Sequence, residues 1–436
     1  MERSNSRSLG DVVNNDMDPV VVQDVVTLAD LAGPPAPAER RLVVDEHIVL
    51  PTGVPARWMH GAPLRGVMSD CRGQDDTVVP GALRPGSLSL RDQRGPLVEG
   101  LDYVADEKWA VLTRTRELAP PVLVSYEYSL LRVDTLVMRD GTPTLVEGQS
   151  HLSNPVPARL APGDEAIASV FVPYFSDGSY GTAPSSATLL PIRNTSNGPV
   201  SRAQIELLPA FVAARAAGRQ VRVTCWGDSV TAGGSSSSPF TAFPQRLASI
   251  LRAGGLSAEV STVAVAGSSS NQWLGMAPPM PGTEWDRVAE TRPDVVVLEF
   301  VNDAELMPSL WPGLYREILE KTTSIGADLL LLEPHFTRLD WMQMEHMDDP
   351  DPRPYVRFLR GFARSRQVPI ASVSERWARL FSEGVAYPTL LRNGINHPDD
   401  RGHQIFAEEA AAVLGVPARQ EGAEESSRLT GSSGSS

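Results

Sequence analysis

The chain has 436 residues, with 39 Lys+Arg against 53 Asp+Glu for a formal net charge of −14. A length of this order predicts two or three domains at roughly 100–200 residues each, and a hydrophobic fraction of 42% is ample for buried cores. The acidic balance without a Lys/Arg cluster excludes nucleic acid as a partner, since phosphate contacts need a basic surface, and the lack of any run of about 18 uncharged apolar residues predicts no membrane span.

The first segment, residues 1–40, ends in LAGPPAPAER and reads as a flexible Pro/Ala linker. Its opening stretch, MERSNSRSLGDVVNNDMDPVVVQDVV, has no uninterrupted apolar core leading to a small-residue cleavage site. Cytoplasmic residence is the default expectation. Two cysteines, Cys71 and Cys225, are too few for a disulfide framework or a Cys-rich zinc site, and both are expected as reduced thiols.

Residues 41–198 carry short apolar runs separated by turn signals, among them RLVVDEHIVLPTG, SLSLRDQRG and PVLVSYEYSLLRVDTLVMRDG. Several alternate with period two, and MRDGTPTLV reads as a hairpin around Asp140-Gly141. This predicts an all-β, sandwich-like domain. From about residue 199 to 418 the pattern changes. Strand candidates VRVTCWG, AEVSTVAVAG, DVVVLEFV, ADLLLLEPH and VPIASV alternate with helical stretches such as FPQRLASILRAGG, LYREILEKTTSIG, YVRFLRGFARSR and HQIFAEEAAAVLG. Alternation of this kind predicts a parallel sheet covered on both faces, an α/β/α layering. Residues 419–436 lack apolar anchors and are expected to be disordered.

In a parallel sheet of this type ligands bind beyond the carboxyl ends of the strands, so the residues after each strand are the candidates. After VRVTCW comes Gly227-Asp228-Ser229. A serine on a strand-to-helix turn can present its hydroxyl at the sheet edge and its N–H to an oxyanion, with Asp228 capping or bracing the turn. An ordinary Gly/Ser loop reads the same. After TVAVA comes Gly267, either a turn glycine or an unobstructed N–H near a ligand. After VVVLEFV comes Asn302, a helix cap or an amide donor. After ADLLLLEP comes His335, two residues beyond Glu333; the pair lines a pocket or anchors a loop. The last element, NGINHPDDRGHQIFAEEAA, puts His397 on a loop before a helix that starts near Asp400 and His403 inside that helix as an anchoring residue. His47, His60, His151 and His346 have no matching context and read as surface or structural.

Ser229, Gly267, Asn302 and His397 thus follow one another at successive strand ends, in WGDSVTAG, TVAVAG, EFVND and NHPDDRGH. This order resembles the GDSL or SGNH hydrolase family, over roughly residues 200–418. The resemblance implies a flavodoxin-like three-layer α/β/α fold and serine ester hydrolysis without metal or organic cofactor. Ser229 would be the nucleophile, His397 the base, and Ser229, Gly267 and Asn302 the oxyanion donors. Two positions depart from the family pattern. Phe300 stands where a Gly usually precedes the Asn by two, and Gly394 stands where an Asp usually precedes the His by three. Asn393, Glu333 or Asp399, or a backbone carbonyl, are the candidates to orient the imidazole.

The substrate expected from the resemblance is a small-molecule or polysaccharide ester, with a carbohydrate O-acetyl group preferred. Trp226, Trp273, Trp285 and Trp311 are candidates to stack on sugar rings, or are packing residues. The alternatives are an impaired, hydrolase-like carbohydrate-binding module, and a lipase, thioesterase or acyltransferase using the same site.

Overall fold

The structure, a computed structural model, describes residues 35–69, 77–175, 187–193, 198–342 and 351–416. Most of the expected N-terminal linker, the expected disordered tail, Cys71 and His346 lie outside the described residues.

The N-terminal strands, from Arg40–Ile48 to Thr188–Pro191, pair antiparallel and form three small sheets. Period-two patterning does the work expected of it. Val122–Ser129 turns Val122, Val124, Tyr126 and Tyr128 inward, and these join Leu64, Val67, Leu83 and Leu112 in one apolar core. The predicted hairpin is present between Arg132–Arg139 and Thr142–Val146. Asp140 and Gly141 both have positive φ, +49° and +77°, as a two-residue I′ turn requires.

The C-terminal part is a five-stranded parallel sheet in the order Ala258–Ala264, Val221–Gly227, Val295–Glu299, Asp328–Leu332 and Ile370–Ala371. In chain order this is 2-1-3-4-5, the flavodoxin-like arrangement, with its switch point beside the first strand. Every residue of Val295–Glu299 and Asp328–Leu332 is buried, which explains their unbroken apolar runs. Alternation divides the strand side chains between two cores. Val221, Val223, Cys225, Val295, Val297, Leu330 and Leu332 face one helical layer. Trp226, Val296, Leu298, Leu329 and Leu331 face the other. The helices Phe243–Ala253, Trp311–Ser324, Pro354–Arg366 and Asp400–Val413 fall where the periodicity puts them. The longest helix without a sequence expectation is Val373–Ser382; its buried Trp377 packs on Phe336 and Tyr387.

The strand Val221–Gly227 ends on Gly227 for a steric reason. A Cβ there would lie 2.1 Å from the Glu299 carbonyl and 2.1 Å from Thr231 Oγ1. The chain can turn sharply into Ser229 while staying against its neighbouring strand only without a side chain. Gly227→Ala is therefore expected to lower stability by about 2–3 kcal/mol. Urea unfolding with an unchanged m-value and a lower midpoint will show it; an unchanged midpoint contradicts this packing.

Candidate active site

Ser229 and His397 arrive from elements 168 residues apart, and Ser229 Oγ lies 2.7 Å from His397 Nε2. Both are almost fully buried. Gly267 has φ +77°, and nothing lies within 4 Å of the place a Cβ would take, so its backbone is open to a ligand. Asn302 sits at the end of the central strand with its Nδ2 donating to the Ser268 carbonyl at 3.0 Å. An amide nitrogen has two hydrogens, and one remains for a further acceptor. The four residues nominated from sequence are thus brought to one end of the sheet.

The loops that carry them are tied together by buried carboxylates. Asp228 accepts the N–H of Val230 at 3.0 Å through one oxygen and the N–H of Asn302 at 3.0 Å through the other. It braces the Ser229 turn, as expected, and also fixes the Asn302 turn. Burial pushes its pKa up to about 6, against the pull of those N–H groups and of the nearby His397 ring. Asp303 accepts the Ser270 N–H at 2.8 Å, the Ser270 hydroxyl at 2.5 Å and the Tyr315 hydroxyl at 3.1 Å. It joins the Gly267 loop to the Asn302 loop, and burial raises it to about 7. Glu299 accepts from Thr231 Oγ1 at 2.9 Å and from the Val301 N–H at 3.0 Å. Burial, and the charge of Asp228 beside it, hold it well above the usual carboxylate range. Sequence reading missed Glu299 and Asp303 as organising residues. The signal was present: Glu299 is an acid inside the otherwise apolar run VVVLEFV, and such a group is retained only where it is hydrogen-bonded.

The His397 loop is built in the same way. Asn393 Oδ1 accepts three N–H groups, from Ile395 at 2.9 Å, Asn396 at 3.0 Å and His397 at 2.9 Å. It shapes the loop backbone, so its orienting role acts on the turn. Asp399 accepts the N–H of Arg401 and Gly402 and caps the following helix.

At three places the structure chooses among the readings left open. Glu333 does not face the imidazole; it makes a two-pronged ion pair with Arg360, at 2.5 and 3.0 Å, on the helix Pro354–Arg366. His335 does not line an open pocket. It is fully buried between Trp377 and Phe406, and its Nε2 lies 2.7 Å from the Asn396 carbonyl. Burial, and the charge of Arg353, drive its pKa well down, so it is neutral and donates to the backbone just before His397. The tryptophans are packing residues: Trp226, Trp273 and Trp311 are at most 4% exposed, and Trp285 packs partly buried on the same core. Trp226 meets Trp273, Trp285 and Phe300 edge-on, which also accounts for a bulky residue at position 300.

Among the described residues no group of three or more His, Cys, Asp or Glu side chains is arranged to hold a metal ion, and no helix is long and apolar enough to cross a membrane.

Residues 225–405 match the model of the GDSL-like lipase/acylhydrolase family. This part of the chain is a hydrolase domain of that family. No curated protein matches the chain. Among solved structures, one similar chain is a two-domain esterase active on acetylated mannans, co-crystallized with mannopentaose. The TM-score is 0.38 and the identity 20%, over 50% of this chain and 56% of that one, so the alignment spans little more than half of that relative. An acetylxylan esterase from Geobacillus stearothermophilus gives a TM-score of 0.37 and 17% identity, over 46% of this chain and 97% of that chain.

His403 completes the site's frame. It is fully buried, and its Nε2 lies 3.0 Å from the Gly234 carbonyl, clamping the helix Asp400–Val413 to the loop after Ser229. Burial first, then the like charge of His397, lowers its pKa from 6.5 to about 4. Below pH 6.5 the unfolded chain therefore binds a proton that the folded chain refuses, until about pH 4. This contribution to stability is complete above pH 6.5 and is lost as pH falls towards 4. Between pH 7.5 and 4 the wild type is expected to lose roughly 3 kcal/mol more than His403→Gln. Parallel stability profiles for the two proteins in urea titrations contradict the assignment.

Proposed function

We propose that this protein is a serine carboxylic-ester hydrolase in which Ser229 attacks and His397 is the base. The observation that carries the reading is the 2.7 Å approach of Ser229 Oγ to His397 Nε2 at the edge of the sheet. His397 Nε2 takes the hydroxyl proton as Oγ bonds to the ester carbonyl carbon. The N–H groups of Ser229 and Gly267, and the second amide hydrogen of Asn302, receive the negative charge that develops on the carbonyl oxygen. Each donor contributes about 3–4 kcal/mol to the transition state. His397 returns the proton to the leaving alkoxide, and a water activated in the same manner releases the acid. This reading is preferred to that of a binding module because a module has no use for a hydroxyl held at proton-transfer distance.

For the substrate we take an O-acetylated carbohydrate. The loops after the first two strands, GGSSSS over 233–238 and GSSSN over 267–271, are polar throughout, which suits a polyhydroxylated alcohol, although Ser236, Ser268 and Ser270 spend their hydroxyls on the Gly233 carbonyl, the Val265 carbonyl and Asp303. A second reading, a longer acyl ester, is favoured by apolar side chains on loops after those same strands and the third. Phe240 is 82% exposed, Met276 54% and Met307 66%.

Ser229→Ala and His397→Ala are each expected to lower kcat on an aryl acetate at least about 10³-fold. Wild-type turnover by both variants, in preparations free of other esterases, rejects the mechanism. Acetate release from an acetylated oligosaccharide, set beside hydrolysis of an octanoyl ester, separates the two substrate readings. Faster octanoyl turnover selects the second.

A further inference from the structure

The loop that carries His397 is held from below by His335 and from within by Asn393. Its other side rests on the N-terminal β region. Ser153 Oγ donates to the Arg392 carbonyl at 2.5 Å. Asn154 Nδ2 lies 2.5 Å from the Thr389 carbonyl and 3.0 Å from Asp399 Oδ2. Those contacts bracket His397 on both sides in sequence. The turn presenting Ser153 and Asn154 is itself set by His151, whose Nδ1 accepts the N–H of both, at 3.2 and 2.9 Å.

Ile395, two residues before His397, is 2% exposed and belongs to the apolar core of the β region, with Val79, Leu83 and Trp109. Its carbonyl accepts the Arg338 N–H at 2.7 Å, and the Arg338 guanidinium lies 4.9 Å from the Trp109 ring of the β region, within cation–π range. Gly394 fits against the same core. It has φ +66°, and a Cβ there would meet Val79 Cγ1 at 2.8 Å but Val79 Cβ only at 3.8 Å. The family's acid position is thus closed in this chain: a side chain there is strained by its backbone and blocked by Val79.

We propose that the N-terminal β region is a positioning element of the active site, in which Asn154, Ser153 and the socket around Ile395 hold the loop that sets His397 against Ser229. The inference rests on the ester-hydrolase reading for its kinetic consequence. It gives the β region a role in turnover that is separate from any recognition of substrate. Placing a reacting group about 1 Å off line costs on the order of 10²-fold in rate, and the loop is the only described covalent support of the imidazole.

The test uses the full chain and two independent disturbances of the contact. In the first, Asn154→Ala removes the donor and Asn154→Asp sets a carboxylate against Asp399. In the second, Gly394→Ala pushes on Val79, and Val79→Ala in the same chain restores ordinary van der Waals distance. Kinetics on an aryl acetate are measured beside hydrogen exchange of the 389–399 segment. Asn154→Ala is expected to lower kcat at least tenfold with KM within twofold, and Asn154→Asp to lower it further. Gly394→Ala is expected to lower kcat at least tenfold, with fivefold or more recovered in the Gly394→Ala/Val79→Ala double variant. In both single variants at position 154 the amides of Ile395, Asn396 and His397 exchange faster, while those of Val295–Glu299 do not. Wild-type kcat and wild-type loop exchange in the Asn154 variants, or additive losses in the Gly394/Val79 pair, overturn the proposal. If the wild type itself lacks esterase activity, the ester-hydrolase reading fails, and the exchange measurement alone decides the anchoring: faster loop exchange supports it and unchanged exchange rejects it.

Discussion

A hydroxyl and an imidazole 168 residues apart in sequence must meet at 2.7 Å, and most of the described architecture bears on that distance. Ser229 is fixed by the strand that precedes it, by Gly227 and by Asp228. His397 has no strand of its own and stands on a loop closed around the Leu391–Pro398 bridge, where the Arg392 N–H donates to the His397 carbonyl and the Asp399 N–H to the Leu390 carbonyl. Loops are the softest parts of most folds. This one is stiffened on three sides: by Asn393 within it, by His335 and Arg338 from the strand-end loop beneath, and by Ser153 and Asn154 from the β region.

The electrostatics follow one pattern. His335 and His403, both beside the His397 imidazole in charge terms, are buried and held neutral. Each therefore donates a hydrogen bond without adding positive charge that would resist protonation of the base. Three carboxylates lie beneath the opposite loops, and burial raises all three. Their oxygens are spent on backbone N–H and hydroxyl groups, so each works as a clamp between loops. Buried polar groups of this kind are tolerable only when fully partnered, and the partnering is what makes the frame rigid.

Much of this was legible in sequence for local reasons. The parallel sheet follows from unbroken apolar runs such as VVVLE and DLLLL, and the hairpin at Asp140-Gly141 from two residues that tolerate positive φ. Ser229, Gly267 and Asn302 were legible because each closely follows a strand, and His397 because it stands on the loop just before the last helix, Asp400–Val413. The rest depends on pairings that leave no local trace. Nothing near Glu333 announces Arg360, and nothing near Gly394 announces Val79, more than 300 positions earlier. Ser153 and Asn154 carry no sequence signal of their role, since the chain brings them against the histidine loop only across separations of 239 and 235 residues. The tryptophans were open to two readings, ligand contact or packing. Position near a strand end suggested ligand contact, whereas side-chain direction within the sheet sends them into the core.

The β region and the hydrolase domain therefore share one structural task at the histidine loop, whatever else the β region binds. The account stands or falls on Ser229 being an activated nucleophile. The most direct measurement is intact-mass and peptide mapping after treatment with a fluorophosphonate, which forms a stable bond only with a serine that a neighbouring base deprotonates. The account predicts one adduct per chain, on Ser229, and none in His397→Ala. An unlabelled wild-type chain, or an adduct on a different residue, contradicts it.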